Sequence, residues 1–213
     1  MAAASIIGLA SFSVASTPAI AEPGAGRNWA EIREAYFAPF DLDWRDGRWW
    51  GTAALGVVAK NNLSSIVLLA SPDFGRTYIG SLALGREFGA IWDSLRLEWE
   101  AGASLVWGRE DYVDLRFGIG ARWIRFPWNE HVFTTAAIIL GPSYITELSR
   151  YELKEGDATH FKNGLVLEIT AAPPDRPDLT VALRIHHRSS IFNLIPNAGT
   201  PSDFVTLGFK LRF

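Results

Sequence analysis

The sequence predicts an all-β fold, namely an eight-stranded antiparallel transmembrane β-barrel preceded by a short N-terminal amphipathic helix. Three observations predict it: many segments alternate apolar and polar residues, short and long connections separate them, and the chain opens with an apolar leader. The absence of Cys excludes a disulfide framework and thiol-ligated zinc. A net charge of −3 gives no basic excess, so no nucleic-acid partner is expected.

The first 48 residues are predicted to precede the barrel. Residues 6–20 are mostly small and apolar, and Ala19-Ile20-Ala21 fits a cleavage site, so residues 1–21 are predicted to be a signal peptide. The apolar run is shorter than the roughly 20 residues that a transmembrane helix needs. Within residues 22–48, near-helical spacing of aromatic residues predicts an amphipathic helix over 27–38, which lies in the membrane interface or packs below the barrel.

Residues 49–213 are predicted to form the barrel, whose eight strands cover 49–59, 77–88, 93–107, 111–126, 130–145, 161–171, 178–189 and 203–213. Successive strand residues point to opposite faces, so apolar side chains are expected to face lipid while charged ones face the lumen. A barrel of this size is filled by its own side chains. The predicted internal network, a packed interior rather than a polar channel, comprises Arg96, Glu98, Glu100, Arg116, Arg122, Glu168, Arg184 and Lys210.

Connection lengths and tryptophans predict the orientation in the membrane. Short connections near 89–92, 127–129 and 173–177 and long ones near 60–76, 149–160 and 190–202 are typical of outer-membrane barrels, whose long loops face outward. Pro142 in the fifth strand indicates a bulge or a strand end. Six tryptophans near strand ends are predicted to lie at the lipid–water boundary: Trp49, Trp50, Trp92, Trp107, Trp123 and Trp128.

The seventh strand carries a candidate catalytic pair. His187 and Ser189 have the same parity as its apolar residues and lie at the outer end, and Asp203 has the lipid-facing parity on the eighth strand. A serine nucleophile, a histidine base and an acid that orients the imidazole are the groups that ester hydrolysis needs. The alternative is that these are ordinary residues of the membrane interface.

This segment resembles the lipid A 3-O-deacylase family (PagL-type outer-membrane acyloxyacyl hydrolases). The resemblance covers about the last 35 residues and is carried by His187-Arg188-Ser189, Pro196-Asn197 and Asp203. It implies a serine esterase that removes a 3-hydroxyacyl chain from lipid A at the barrel exterior in the outer membrane. It further implies that lipopolysaccharide is the partner and that no cofactor is required.

Two site positions depart from the family pattern. Asp203 stands where the family usually has Glu, after a loop about two residues longer. Ser190 stands where the family has an Asn that serves as an oxyanion donor, so Ser190, Asn193 or a backbone N–H is expected to take that role.

Three basic residues are possible contacts for lipid phosphates: Arg150, Lys154 and Arg188. The four histidines are scattered, so no metal site is expected. Two other functions stay open, a non-catalytic structural or ligand-binding barrel and a lipid A acyltransferase. A water-soluble barrel of the lipocalin type is least favoured, because its outer face should be polar.

Overall fold

The computed structural model describes residues 48–68, 73–91, 94–155, 159–190 and 201–213. The predicted signal peptide, the predicted N-terminal helix and Trp92 lie outside these residues. Eight strands follow one another along the chain: β1 (Trp49–Ala59), β2 (Phe74–Ile91), β3 (Leu95–Gly108), β4 (Tyr112–Trp123), β5 (Phe133–Ile145), β6 (Phe161–Ala172), β7 (Leu179–Ser189) and β8 (Ser202–Arg212). A short helix, α1 (Leu63–Val67), follows β1, and a 3-10 helix (Glu152–Glu155) precedes β6.

Each strand pairs antiparallel with its neighbours in the chain, and β8 pairs with β1, so the sheet closes into a barrel. The closing ladder runs from Trp50 opposite Arg212 to Ala59 opposite Asp203. Closure gives every strand two partners and leaves no edge exposed, as a β-structure in lipid requires. The predicted eight-stranded antiparallel β-barrel is therefore confirmed.

The exterior of the barrel is apolar around its whole circumference. Each strand exposes a large aliphatic or aromatic side chain near its middle: Leu55, Leu82, Leu105, Phe117, Leu140, Ile169, Leu183 and Leu207. Such a surface is unfavourable in water and suited to lipid tails. None of the helices in the described part of the chain is long and apolar enough to cross a membrane.

A network of buried charges fills the middle of the lumen, as the alternation predicted. Glu168 is its centre, with carboxylate oxygens 2.7 Å from Arg122 Nη2, 2.9 Å from Lys210 Nζ and 3.2 Å from Arg184 Nε. Arg122 also contacts Glu98 at 2.8 Å. A buried charge is tolerated only when opposite charges surround it, and these side chains supply one another.

The outer end of the lumen, on the side of the longer connections, is apolar instead. Six buried side chains from six segments meet there: Val58, Ile79, Val106, Tyr112, Ile145 and Phe204. The alternation in the sequence predicts a charged interior and does not distinguish this apolar layer from it. The residues lie at the outer ends of their strands, where alternation still turns them inward.

The connection between β5 and β6 is anchored in the mouth of the barrel by Glu152, which is fully buried. Its carboxylate lies 2.7 Å from Lys162 Nζ and 2.5 Å from Arg188 Nη1 and accepts a hydrogen bond from Ser202 Oγ at 2.8 Å. Glu152 thus joins this connection to β6, β7 and β8.

Two local predictions are corrected. Trp50 is not at the lipid boundary but fully buried in the lumen, where Lys210 Nζ lies 3.5 Å from the centre of its ring. β5 neither ends nor changes register at Pro142, because it pairs with β6 from Phe133 to Tyr144 without a shift, although its pairing with β4 is interrupted at Gly141 and Pro142. Opposite β5, the luminal Gly120 leaves space for Ile139, whose Cγ1 would lie 2.7 Å from an added Cβ.

Candidate functional site

The register of the last hairpin places His187 directly opposite Asp203. The preceding residue on β8, Ser202, donates a hydrogen bond to Glu152 inside the lumen, so Asp203 lies on the outward face. His187 likewise follows the exposed Val181 and Leu183 at steps of two residues along β7. Both polar side chains thus lie on the lipid-facing surface at the outer end of the barrel.

The imidazole and the carboxylate are in direct contact, with His187 Nδ1 2.7 Å from Asp203 Oδ1. Asp203 is buried, whereas 14% of the His187 side chain is exposed. In a neutral imidazole only one nitrogen carries a proton. When that proton is on Nδ1, Nδ1 donates a hydrogen bond to the Asp203 carboxylate. Nε2 then keeps its lone pair and can act as a base.

Ser189 is the third member of the arrangement. It lies two residues beyond His187 on the same face of β7 and is partly exposed. The Cα atoms of such a pair are separated by about 7 Å at the usual strand rise, a span that two side chains can bridge by rotation. Among the described residues no hydrogen bond joins Ser189 Oγ to His187 Nε2. The arrangement is therefore a hydrogen-bonded His187–Asp203 pair with the Ser189 hydroxyl on the same face.

A further polar residue, Asn163, lies beside Ser189 and was missed in the sequence analysis. β6 pairs with β7 so that Asn163 is opposite Ser189 and Leu165 is opposite His187. Asn163 is buried although it has the same outward parity as Leu165. Its parity was visible in the sequence, but its proximity to Ser189 depends on the register across residues 173–178, which alternation alone does not fix.

The remaining candidates are dispersed. Ser190 directly follows β7 and is partly exposed, and Asn193 lies outside the described residues. Arg150 is exposed in the connection before β6, while the Lys154 side chain is not among those described. Arg188 corrects the prediction of a phosphate contact: it is buried in the lumen, and its guanidinium donates to Glu152, Ser143 and the carbonyl of His160. A lipid phosphate outside the barrel cannot reach it.

No family model matches the sequence, and no curated protein matches it. Solved structures do match. The outer membrane enzyme PagL is 14% identical to this chain, with a TM-score of 0.51. The match covers 76% of this chain and 98% of the PagL chain. Neisserial surface protein A (11% identity, TM-score 0.47) covers 78% of this chain and 97% of its own. The N-terminal barrel of Pseudomonas aeruginosa OprF (9% identity, TM-score 0.44) covers 79% of this chain and all (100%) of its own.

The likeness to PagL concerns the fold, a closed barrel that nearly the whole PagL chain shares. The apolar exterior and the charged, packed interior give the same assignment on physical grounds. The chain is an eight-stranded antiparallel β-barrel of the bacterial outer membrane.

Proposed function

We propose that this barrel is a serine esterase that removes an ester-linked 3-hydroxyacyl chain from lipid A or a related glycolipid of the outer leaflet. The observation that carries the proposal is the 2.7 Å contact between His187 Nδ1 and Asp203 Oδ1 on the lipid-facing surface. A buried carboxylate on that surface is costly, and the luminal network already provides the charge pairs that fill the barrel. A catalytic role accounts for placing this pair outside.

In the proposed reaction Ser189 is the nucleophile. Its Oγ attacks the ester carbonyl carbon while the hydroxyl proton passes to His187 Nε2. The bond from the carbonyl carbon to the sugar oxygen then breaks, and His187 returns the proton to that oxygen. A water molecule, deprotonated by His187, cleaves the resulting acyl-serine, which releases the fatty acid and restores Ser189. Asp203 holds the imidazole in the required tautomer throughout.

The tetrahedral intermediates need donors for their oxyanion. Asn163 is a candidate that the register supports, because its carboxamide is opposite Ser189 on the same face. Ser190, with its backbone N–H and hydroxyl, is adjacent to the nucleophile, and Asn193 stays a proposal from the sequence. Removing one oxyanion donor lowers turnover by roughly 100- to 1000-fold in serine hydrolases.

The location of the site suits a substrate that is itself part of the membrane. Acyl chains meet headgroups at the outer end of the barrel, so the ester of an outer-leaflet lipid can reach Ser189 by lateral diffusion. PagL, an outer membrane enzyme, shares the fold and shows that a barrel of this size can carry catalysis. The proposed reaction uses water and side chains alone, so no cofactor is invoked.

The test is mass spectrometry of lipid A from a Gram-negative host that expresses wild type, Ser189→Ala or the control Ser64→Ala. Ser64 is an exposed residue of α1, and its hydroxyl donates a hydrogen bond to Asn62 Oδ1. Folding of all three in the outer membrane is checked by the gel mobility shift on heating. Wild type and Ser64→Ala are expected to remove one hydroxyacyl mass, and Ser189→Ala none. Unchanged lipid A with folded wild type would contradict the proposal.

One observation favours a second function, a non-catalytic barrel. Ser189 and His187 share no hydrogen bond among the described residues, as expected if both are ordinary interfacial groups. That function predicts identical lipid A in all three strains. A lipid A acyltransferase, the third possibility from the sequence, predicts a gain of one acyl mass in the same experiment.

A further inference from the structure

A cavity of about 390 Å³ opens at the outer end of the barrel. Three separate connections meet there: the ends of the β1–β2 connection, the β3–β4 turn and the β5–β6 connection. Four of the lining residues are basic: Lys60, Arg76, Arg109 and Arg150. The chain as a whole has a net charge of −3, so this convergence is a local reversal of sign.

The basic residues of this cavity are mostly uncompensated. Lys60 Nζ contacts Asp73 Oδ1 at 2.8 Å. The guanidinium groups of Arg76, Arg109 and Arg150 form no ion pair within the part of the chain that the structure describes. Like charges held around one cavity repel each other, and an anion bound between them would remove that repulsion.

The cavity has an ordered framework. Tyr151 N donates a hydrogen bond to Glu110 Oε1 at 3.0 Å, and Tyr151 Oη donates to the carbonyl of Lys60 at 3.2 Å. The next residue, Glu152, is the anchor buried between Lys162 and Arg188. Arg150 is thereby attached to a fixed part of the loop. Glu110, the one carboxylate that lines the cavity within the described part of the chain, accepts a hydrogen bond from a backbone N–H.

The depth of the cavity indicates which anion it meets. Arg76 lies on the outward face of β2, two residues above Tyr78, whose ring is 6.1 Å from that of Trp107. Both aromatic side chains are about two-fifths exposed, at 45% and 42%. Aromatic residues of this kind mark the lipid–water boundary of outer-membrane barrels, where headgroup phosphates lie.

We propose that Lys60, Arg76, Arg109 and Arg150 form a binding site for the phosphate groups of an outer-leaflet glycolipid. Guanidinium groups bind phosphate oxygens through paired, charge-assisted hydrogen bonds, and three arginines can surround one phosphomonoester. The site does not depend on the esterase proposal. It lies at the same outer end of the barrel, here called the rim, as the His187–Asp203 pair. Lys60 follows Ala59, which is opposite Asp203 on β8.

The test measures binding of lipid A by native mass spectrometry of the purified full chain in detergent. All proteins carry Ser189→Ala, so that the probe is not consumed and the result is independent of any esterase activity. Two probes are compared, bisphosphorylated lipid A and the same lipid with both phosphates removed. The variant is Arg76→Gln/Arg109→Gln/Arg150→Gln. The control loses three charges at the opposite end of the barrel, through Arg48→Gln/Arg125→Gln/Arg176→Gln.

The parent and the control are expected to bind the bisphosphorylated lipid at least tenfold more tightly than the dephosphorylated one. The rim variant is expected to lose that preference while its gel mobility shift on heating is unchanged. Competition by millimolar inorganic phosphate would show that free phosphate shares the site, and lack of competition would assign the site to lipid-borne phosphate. A rim variant that keeps the full preference overturns the proposal.

Discussion

The luminal charge network and the outward His187–Asp203 pair use the same kinds of groups in opposite ways. In the lumen, Glu168 contacts three cations, and Arg122 and Arg184 each contact a second carboxylate as well. On the exterior, His187 is the side-chain partner that the described residues give Asp203, and the second ring nitrogen of His187 has no hydrogen-bond partner among those residues. Charges that satisfy one another hold a structure together, whereas a group with unused bonding capacity is available for chemistry.

The largest effect is expected from a substitution in the outward His187–Asp203 pair, and it is an effect on catalysis. Asp203→Asn keeps the shape of the side chain but favours the wrong imidazole tautomer, and the deacylation rate is expected to fall about 10,000-fold. The measurement is release of hydroxyacyl chains from lipid A in detergent micelles. Asp175→Asn, in the exposed β6–β7 connection, is the control and should keep the wild-type rate. A variant at position 203 that keeps a tenth of that rate would mean that the pair is structural.

The matching change inside the barrel should affect stability instead. Glu168→Gln leaves Arg122, Arg184 and Lys210 in the lumen without their shared carboxylate, and removing one member of a buried ion pair costs about 3–5 kcal/mol. Reversible urea unfolding from lipid vesicles measures the free energy of unfolding. The folded variant is expected to keep its lipid A activity. A loss below about 1 kcal/mol would show that water replaces the missing charge.

A smaller effect on stability is expected to distinguish substitutions on the luminal face of β4 from those on its lipid-facing side. Gly120→Val adds side-chain atoms on the luminal face, where an added Cβ would collide with the backbone carbonyl oxygen of Ile138 and lie 2.7 Å from Ile139 Cγ1. Overpacking of this kind typically costs about 1–3 kcal/mol. Ala121→Val, on the lipid-facing side of the same strand, meets lipid and should change the free energy of unfolding by less. Equal effects of the two substitutions would mean that the luminal packing is loose.

The smallest effect on stability is expected for the exposed ion pair between Lys60 and Asp73. Lys60 and Asp73 have side chains that are 44% and 61% exposed, and such pairs contribute about 1 kcal/mol or less. Asp73→Asn should therefore leave the free energy of unfolding nearly unchanged in the same urea experiment. A loss comparable to that of Glu168→Gln would mean that the exposed pair contributes as much to stability as the buried luminal ion pairs do.

The alternation of the sequence was sufficient for the fold and for the faces of most strands. A period of two determines which side a residue occupies, and the long runs in β3, β4 and β6 left little ambiguity. This period does not determine which environment a side chain meets at its depth in the membrane. Trp50 was predicted at the lipid boundary because it is near a strand end, yet its parity directs it inward, beneath Lys210.

Parity accounts for only part of the candidate site. His187, Ser189 and Asp203 are candidates from the sequence because polar residues on an otherwise apolar strand face are conspicuous, and their catalytic role stays a prediction. Asn163 and the rim cavity were not recognised, because each depends on which segments become neighbours across a connection. That information is in the register of the ladder and the path of the β5–β6 loop, and neither has a local signature in the sequence.

The filled lumen also has a consequence for the cell that makes this protein. Side chains of the charged network, the six-residue apolar layer above it and the Glu152 anchor occupy the axis along which ions would have to pass. We therefore expect planar bilayers containing the protein to show no added conductance. On that expectation, the number of copies in the outer membrane can rise without making the membrane leaky.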